Sequence, residues 1–286
     1  GHKRMGFVMD ELAQWVNFRP VCPEMAIGLP TPRPALRLIV TDRGETQMRF
    51  SHAPHEDVTQ KMADFTADFL PKIGDLAGFI VCAKSPSCGM ERVRLYDENG
   101  NRGRKEGVGL FTAALLETWP WLPVEEDGRL HDPVLRENFV ERVFALHELN
   151  TIRANGLTRR ALLDFHSRYK LQLLAHHQAG YREIGPFVAT LHEWEDLDAF
   201  FVAYREKLMT ILKKPASRKN HTNVLMHIQG YFRNQLNTRQ RGELRDVILH
   251  YRNGQLPILA PITLLKHYLA EYPDRYLMTQ NYFDPY

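Results

Sequence analysis

Two hydrophobic periods divide this chain. In the first half the apolar residues come in short runs broken by turn chemistry: Phe18-Arg19-Pro20-Val21, Leu36 to Val40, Gln47 to Phe50, Ala77 to Ala83, Arg92 to Tyr96 and Leu122-Pro123-Val124-Glu125. Runs of this length, rich in β-branched and aromatic residues, predict strands, with 36–40 and 47–50 paired as a hairpin across Asp42-Arg43-Gly44. Between them lie helical stripes at 7–16, from Asp57 to about Ile73, from Val108 to Trp119, and from Asp132-Pro133 to about Asn150. Asp57 suits an N-cap, and Pro133 suits a first helical turn. Glu98 to Gly109 is rich in glycine and charge and reads as a mobile loop. Strands alternating with helices predict an α/β domain over 1–152 with a largely parallel, Rossmann-like sheet.

From Leu157 the period changes to three and four. Ala161, Leu162, Phe165, Tyr169, Leu173 and Leu174 mark the first helix, and no strand-like run follows. Further helices are expected at 178–191, 196–213, 222–237, 239–252 and 262–271, with breaks at Pro215, Gly254 and Pro257. The region 157–286 is therefore predicted to be an all-α domain, with Asn155-Gly156 as the hinge.

Composition narrows the class. Of 286 residues, 44% are apolar and 25% charged, the balance of an ordinary globular protein. No apolar run approaches the ~20 residues of a membrane span, and no signal-peptide core opens the chain. Three cysteines do not make a disulfide framework, so a reducing cytoplasm is expected. The chain starts Gly1-His2-Lys3-Arg4 without an initiator methionine, and a further N-terminal segment is expected upstream. Charge is uneven. From Leu157 onward there are 18 Lys and Arg against 12 Asp and Glu, whereas the preceding part holds 19 against 22. Eight of the 13 histidines also fall in the second part, so a polyanion is a candidate partner there.

The chemistry centres on Lys84-Ser85-Pro86-Ser87-Cys88-Gly89. A cysteine in a Ser/Pro/Gly turn just past an apolar strand sits where α/β sheets place ligands. Cys22, in Val21-Cys22-Pro23-Glu24, follows a second expected strand, so the two thiols are predicted to meet. They suit an iron–sulfur cluster with further ligands elsewhere; equally, they suit core packing, because free cysteines are small hydrophobes. Cys82, inside the apolar run, is expected to be core. Glu24 is a candidate general acid or base, and Ser85 and Ser87 offer hydroxyls that bind substrate or simply shape the turn. In the second half, Arg168 and Lys170 flank Tyr169, while His221, Asn223 and Arg233 lie on a helix whose apolar stripe is Val224, Leu225, Ile228, Tyr231, Phe232 and Leu236. Basic residues interleaved with aromatics suit an RNA backbone and its bases. His176 and His177 are adjacent in a helix, about 100° apart, and are not expected to share one metal ion.

These turns closely resemble the thiouracil desulfidase family, through Val21-Cys22-Pro23-Glu24, Asp57-Val58-Thr59, Lys84-Ser85-Pro86-Ser87-Cys88-Gly89 and Leu135-Arg136-Glu137-Asn138-Phe139. The second half resembles the YbgA-type helical domain in His166-Ser167-Arg168-Tyr169-Lys170, His221-Thr222-Asn223-Val224-Leu225, Gln229-Gly230-Tyr231-Phe232 and Pro261-Ile262-Thr263-Leu264-Leu265-Lys266-His267. Their fusion resembles the bacterial tRNA 4-thiouridine desulfidases. The resemblance implies a 4Fe–4S cluster on three cysteines with one open iron, Cys22 and Cys88 being the second and third ligands. It places the first in a Cys-Leu-Leu-Gly-type motif upstream of Gly1. It further implies Glu24 as general base or proton donor, Ser85 or Ser87 as the hydroxyl on the ring, and tRNA gripped by the helical domain, including Lys266. The alternatives are a desulfidase of free thiouracil and a non-enzymatic RNA-binding protein; a cysteine-nucleophile hydrolase ranks last, because no motif-placed histidine accompanies Cys88.

Overall fold

The computed structural model describes residues 5–53 and 55–285, so the opening Gly1-His2-Lys3-Arg4 lies outside the described residues. Two compact units divide between Phe139 and Val140, inside one long helix. The Asn155-Gly156 turn, with Gly156 at φ 100°, joins two helices of the second unit.

In the first unit the chain forms α1 (Pro23–Ala26), a hairpin of β1 (Leu36–Val40) and β2 (Thr46–Phe50), and α2 (Thr59–Phe69). There follow β3 (Phe79–Val81), β4 (Val93–Tyr96), β5 (Arg102–Gly107), α3 (Leu110–Thr118) and β6 (Val124–Glu126). The expectation of a largely parallel, Rossmann-like sheet does not hold. A four-stranded sheet runs β2-β1-β4-β5 with only β1 and β4 parallel, and β3 pairs in parallel with β6 in a separate two-stranded sheet. The reason lies in the connections. Tight turns at Gly44 and Gly100, both at positive φ, fold β2 and β5 back as hairpin partners, and a hairpin can only be antiparallel.

Three local expectations also change. The 18–21 segment carries no strand; Pro20 removes an amide donor there. The 7–16 stripe is helical but irregular, a π turn at Phe7–Glu11 followed by a 3₁₀ turn at Leu12–Gln14. The stretch read as a mobile loop contains β5, an edge strand with almost every side chain exposed. It has no apolar face, so period-2 reading cannot find it, and its charges suit an edge that must not pair further. The packed side of the main sheet carries Leu38, Met48, Phe50 and Val93, all buried. Phe111 of α3 joins α2 and β3, with ring centroids 6.1 Å from Phe65 and 5.7 Å from Phe79.

The second unit takes up α4 (Pro133–Ala154) from Val140 and continues with α5 (Arg159–His176), α6 (Gln178–Ala189), α7 (Leu197–Leu212), α8 (Arg218–Tyr231), α9 (Thr238–Arg252) and α10 (Leu259–Glu271). Side chains start most of these helices: Thr158, His177, Asp196, Ser217 and Asn237 each accept a first-turn amide, and Asn237 with Gln240 completes a capping box. One core layer stacks Phe165, Tyr169, Phe200 and Tyr204. Another packs Leu225, Ile228, Phe232, Leu244, Ile248 and Leu265. Among the described residues no helix is long and apolar enough to cross a membrane.

Candidate active site

The 84–92 loop is held from three sides. The first is the start of α3, which has no side-chain cap; the amides of Leu110 and Phe111 donate to the carbonyls of Pro86 and Ser87, at 3.1 and 3.0 Å. The loop is thus the cap of the helix. Gly109 is required at that junction, because a Cβ there would lie 2.4 Å from the Ser87 carbonyl carbon and 2.6 Å from the Cys88 nitrogen. Thr112 adds a hydroxyl bond to the Cys88 carbonyl at 2.7 Å. The second support is Glu126, at the end of β6, whose carboxylate accepts the amides of Met90 and Glu91 at 2.9 and 3.2 Å. Asp127 is the third; it accepts the Ala83 amide at 2.9 Å. Lys84 and Arg92, at the two ends of the loop, both sit in the left-handed region, with φ of 63° and 55°. Each costs about 1–2 kcal/mol, which these supports offset.

Cys22 precedes α1 in extended conformation, and Pro23 starts that single turn. Four side chains then meet. The Cys22 thiol lies 3.3 Å from a carboxylate oxygen of Glu24, and the second carboxylate oxygen accepts a short hydrogen bond from the Ser87 hydroxyl. Ser87 Oγ is in turn 3.4 Å from the Cys88 sulfur. The two thiols, expected to meet at strand ends, are linked here through Glu24 and Ser87, from the turn α1 and the 84–92 loop. Cys22, Glu24, Ser87 and Cys88 form one cluster, in which Ser87 is fully buried and Glu24 only 9% exposed.

The structure separates the two serines. Ser85 Oγ accepts the amides of Ser87 and Cys88 at 3.3 and 3.2 Å and so shapes the turn, while Ser87 faces the carboxylate. Arg33 is the residue that sequence reading missed. Its guanidinium donates to the Cys22 sulfur at 3.3 Å and lies 3.6 Å from Glu24. It stands on an unremarkable Pro-rich turn with no motif signal, and only the return of the chain towards β1 brings it in.

Charge follows from these contacts. Burial alone would raise the Glu24 carboxyl, but donors from Ser87, its own backbone and Cys22, with the Arg33 charge, outweigh it and hold the pKa below its usual value. Burial, reinforced by the nearby Glu24, pushes the Cys88 thiol up to about 12 against the opposing Ser87 bond. Cys82, expected in the core, lies just past the end of β3 and is exposed. The strand stops at Val81, one residue short of it. Its thiol too is raised, by partial burial and then by Asp127 and Glu24.

A 4Fe–4S cluster takes three or four thiolates. Cys22 and Cys88 supply the right kind of donor, linked through Glu24 and Ser87, but only two of them. Among the described residues no group of three His, Cys, Asp or Glu is placed to hold a metal ion. The residues present therefore fit part of a cluster's ligand set, not the whole.

The residues read as RNA-facing are dispersed over the second unit. Arg168 is engaged by Glu148 and lies over the Phe165 ring, and His221 shares a 2.9 Å hydrogen bond with the Tyr282 hydroxyl. Lys266 pairs with Asp284 at 2.7 Å. Lys170 and Asn223 are half-buried, and Arg233 is exposed.

Comparison with known proteins now places both units. Residues 1–127 match the family described as 2-thiouracil desulfurase, and residues 170–286 match the family described as protein of unknown function (DUF1722). The first unit is thus a desulfurase-type domain. The uncharacterized protein YbgA of Escherichia coli (strain K12) is 52% identical over 143 residues, covering 50% of this chain and 85% of that relative. The chain belongs to the YbgA family, with a 2-thiouracil desulfurase domain at its N-terminus. No solved structure matches it.

Proposed function

We propose that the protein is a desulfidase that converts 4-thiouridine in tRNA to uridine, with release of hydrosulfide. The observation that carries this reading is the linked cluster of half-buried Cys22 and Cys88 with buried Glu24 and Ser87 inside the domain that matches 2-thiouracil desulfurase. The reaction exchanges sulfur for oxygen: water adds to the thiocarbonyl carbon, the carbon–sulfur bond breaks, and sulfur leaves carrying a proton. No oxidant or reductant is needed.

The chain's own residues handle the protons. Glu24, held ionised by its three donors and the Arg33 charge, takes the proton of the attacking water and returns it to the departing sulfur. Ser87 fixes the orientation of that carboxylate, Arg33 holds it and Cys22 in place, and Ser85 keeps the loop closed. Cys22 and Cys88 would be two of the thiolates that hold a 4Fe–4S cluster, which when bound would supply a soft Lewis acid for sulfur. The helical unit, with Arg233 and Lys170 among its cations, binds the tRNA.

The match to 2-thiouracil desulfurase favours a second reading, action on free thiouracil. The test is anaerobic reconstitution with iron and sulfide, then hydrosulfide release from thiolated tRNA and from free thiouracil. Glu24→Gln is expected to retain iron and lose about 10²–10⁴ in turnover, whereas Cys22→Ala or Cys88→Ala loses the iron. Undiminished turnover by Glu24→Gln sinks the assignment, and turnover confined to the free base selects the second reading.

A further inference from the structure

The main sheet of the first unit carries a row of like charges that its folding does not need. In the β1–β2 register Arg37 lies opposite Arg49, and in the β4–β5 register Arg94 lies opposite Lys105. β1 and β4 pair with Leu38 beside Leu95, so one residue earlier Arg37 stands beside Arg94. Arg49, Arg37, Arg94 and Lys105 therefore form one line across all four strands, spanning about 15 Å at the usual strand spacing. Arg49, Arg37 and Arg94 lie on the face opposite buried Leu38, Met48 and Val93, and register shifts on either side of the Arg94–Lys105 pair bring Lys105 opposite Arg94. Like charges directly opposite one another destabilise a sheet.

Neutralisation within the sheet is slight. Arg49 has Glu98 at 3.8 Å and is hydrogen-bonded to Gln47. Among the described residues Arg37, Arg94 and Lys105 have no carboxylate at ion-pair distance; Glu106 pairs with Arg104 instead. Tyr96 sits in the same face under the Arg37 guanidinium, 4.9 Å from ring centroid to Cζ. A row of cations with an aromatic among them matches consecutive phosphates and a stacked base.

Position ties this row to the cluster already described. β1 and β4 are parallel neighbours and begin at the same edge of the sheet. The segment bearing Cys22, Glu24 and Arg33 runs straight into β1, and the 84–92 loop runs straight into β4. Arg37 and Arg94 are each the second residue of their strand, about 3.3 Å per residue from those entries. We infer that this face binds the sugar–phosphate backbone of the RNA that carries the base to Glu24. The inference rests on the nucleobase-acting reading above and deepens it. It assigns RNA recognition to the desulfurase-type unit as well as to the helical one.

The experiment measures binding of an unmodified tRNA transcript by the full chain between about 50 and 200 mM salt, beside turnover of free thiouracil by reconstituted protein. Arg94→Gln/Lys105→Gln is the variant, with a far-UV melt to show that it folds. Loss of two phosphate contacts is expected to lower the slope of log affinity against log salt by about two and to weaken binding at every salt concentration. Free-base turnover by this variant should match the wild type. An unchanged slope in the folded variant overturns the inference, as does absence of tRNA binding by the wild type. In the latter case intact free-base turnover leaves the desulfidase standing. A reduced slope in a protein that desulfurises nothing upholds the RNA face and defeats the enzyme.

Discussion

Two titratable pairs of the helical unit contrast with the cluster of the desulfurase-type unit: His166 with the Tyr204 hydroxyl at 3.1 Å, and His221 with Tyr282 at 2.9 Å. Burial depresses both histidines to about 4, so His166 ties α5 to α7 and His221 ties α8 to the C-terminal turn without carrying charge near neutrality. In the desulfurase-type unit the carboxylate of Glu24, in the single turn α1, is buried and kept ionised by several donors. A neutral pair on a helix stabilises; a held charge on a supported loop is available for proton transfer.

Acid sharpens this contrast most. The histidines have folded pKa values below the usual 6.5, so the unfolded chain binds more protons between about 6.5 and about 4. The stability they confer is complete above that window and is lost as pH falls through it, by a few kcal/mol in all. Urea midpoints followed by far-UV circular dichroism should decline across this range, and His166→Phe with His221→Phe should flatten the decline. A flat wild-type profile would contradict the neutral-pair reading.

The loop can be broken more locally. Gly109→Ala drives a methyl against the Ser87 carbonyl and should cost about 1–3 kcal/mol as an overpacked contact. It should also abolish hydrosulfide release, because the same displacement moves Ser87 and Cys88. Full activity in this variant would show that the α3 junction does not position the site.

The smallest effect comes from Glu24 itself. Its folded pKa is depressed, so its contribution to stability is present above the ordinary carboxylate range and disappears as pH falls through the folded value. Glu24→Gln should remove that acid-side loss while leaving the histidine window unaltered. A wild-type and variant difference that is independent of pH would show that the carboxylate is not held ionised.

Legibility followed the range of the interactions. The second half was readable almost helix by helix, because its stripe at three and four and its capping residues are local signals. Even so, α8 begins at Arg218 under the Ser217 cap, four residues before the apolar stripe suggested. In the first half the 36–40 and 47–50 hairpin and the Cys88 turn were legible from their own residues. β5 was not, since a strand with no buried face exists only because β4 offers its amides. Cys82 sounded like core from its apolar neighbours, yet β3 ends at Val81 and leaves it exposed.

By itself, then, the sequence determined the helical second half, the two cysteine turns and the carboxylate beside Cys22, all of which are written within a few residues of each other. Tertiary structure decided what depends on chain segments returning to one place. It set the mixed direction of the sheet, chose Ser87 over Ser85 as the partner of Glu24, brought Arg33 onto Cys22, and aligned four cations from four strands. The physical reason is the same throughout: propensity and capping act over one or two turns of chain, whereas strand register and loop closure join residues dozens of positions apart.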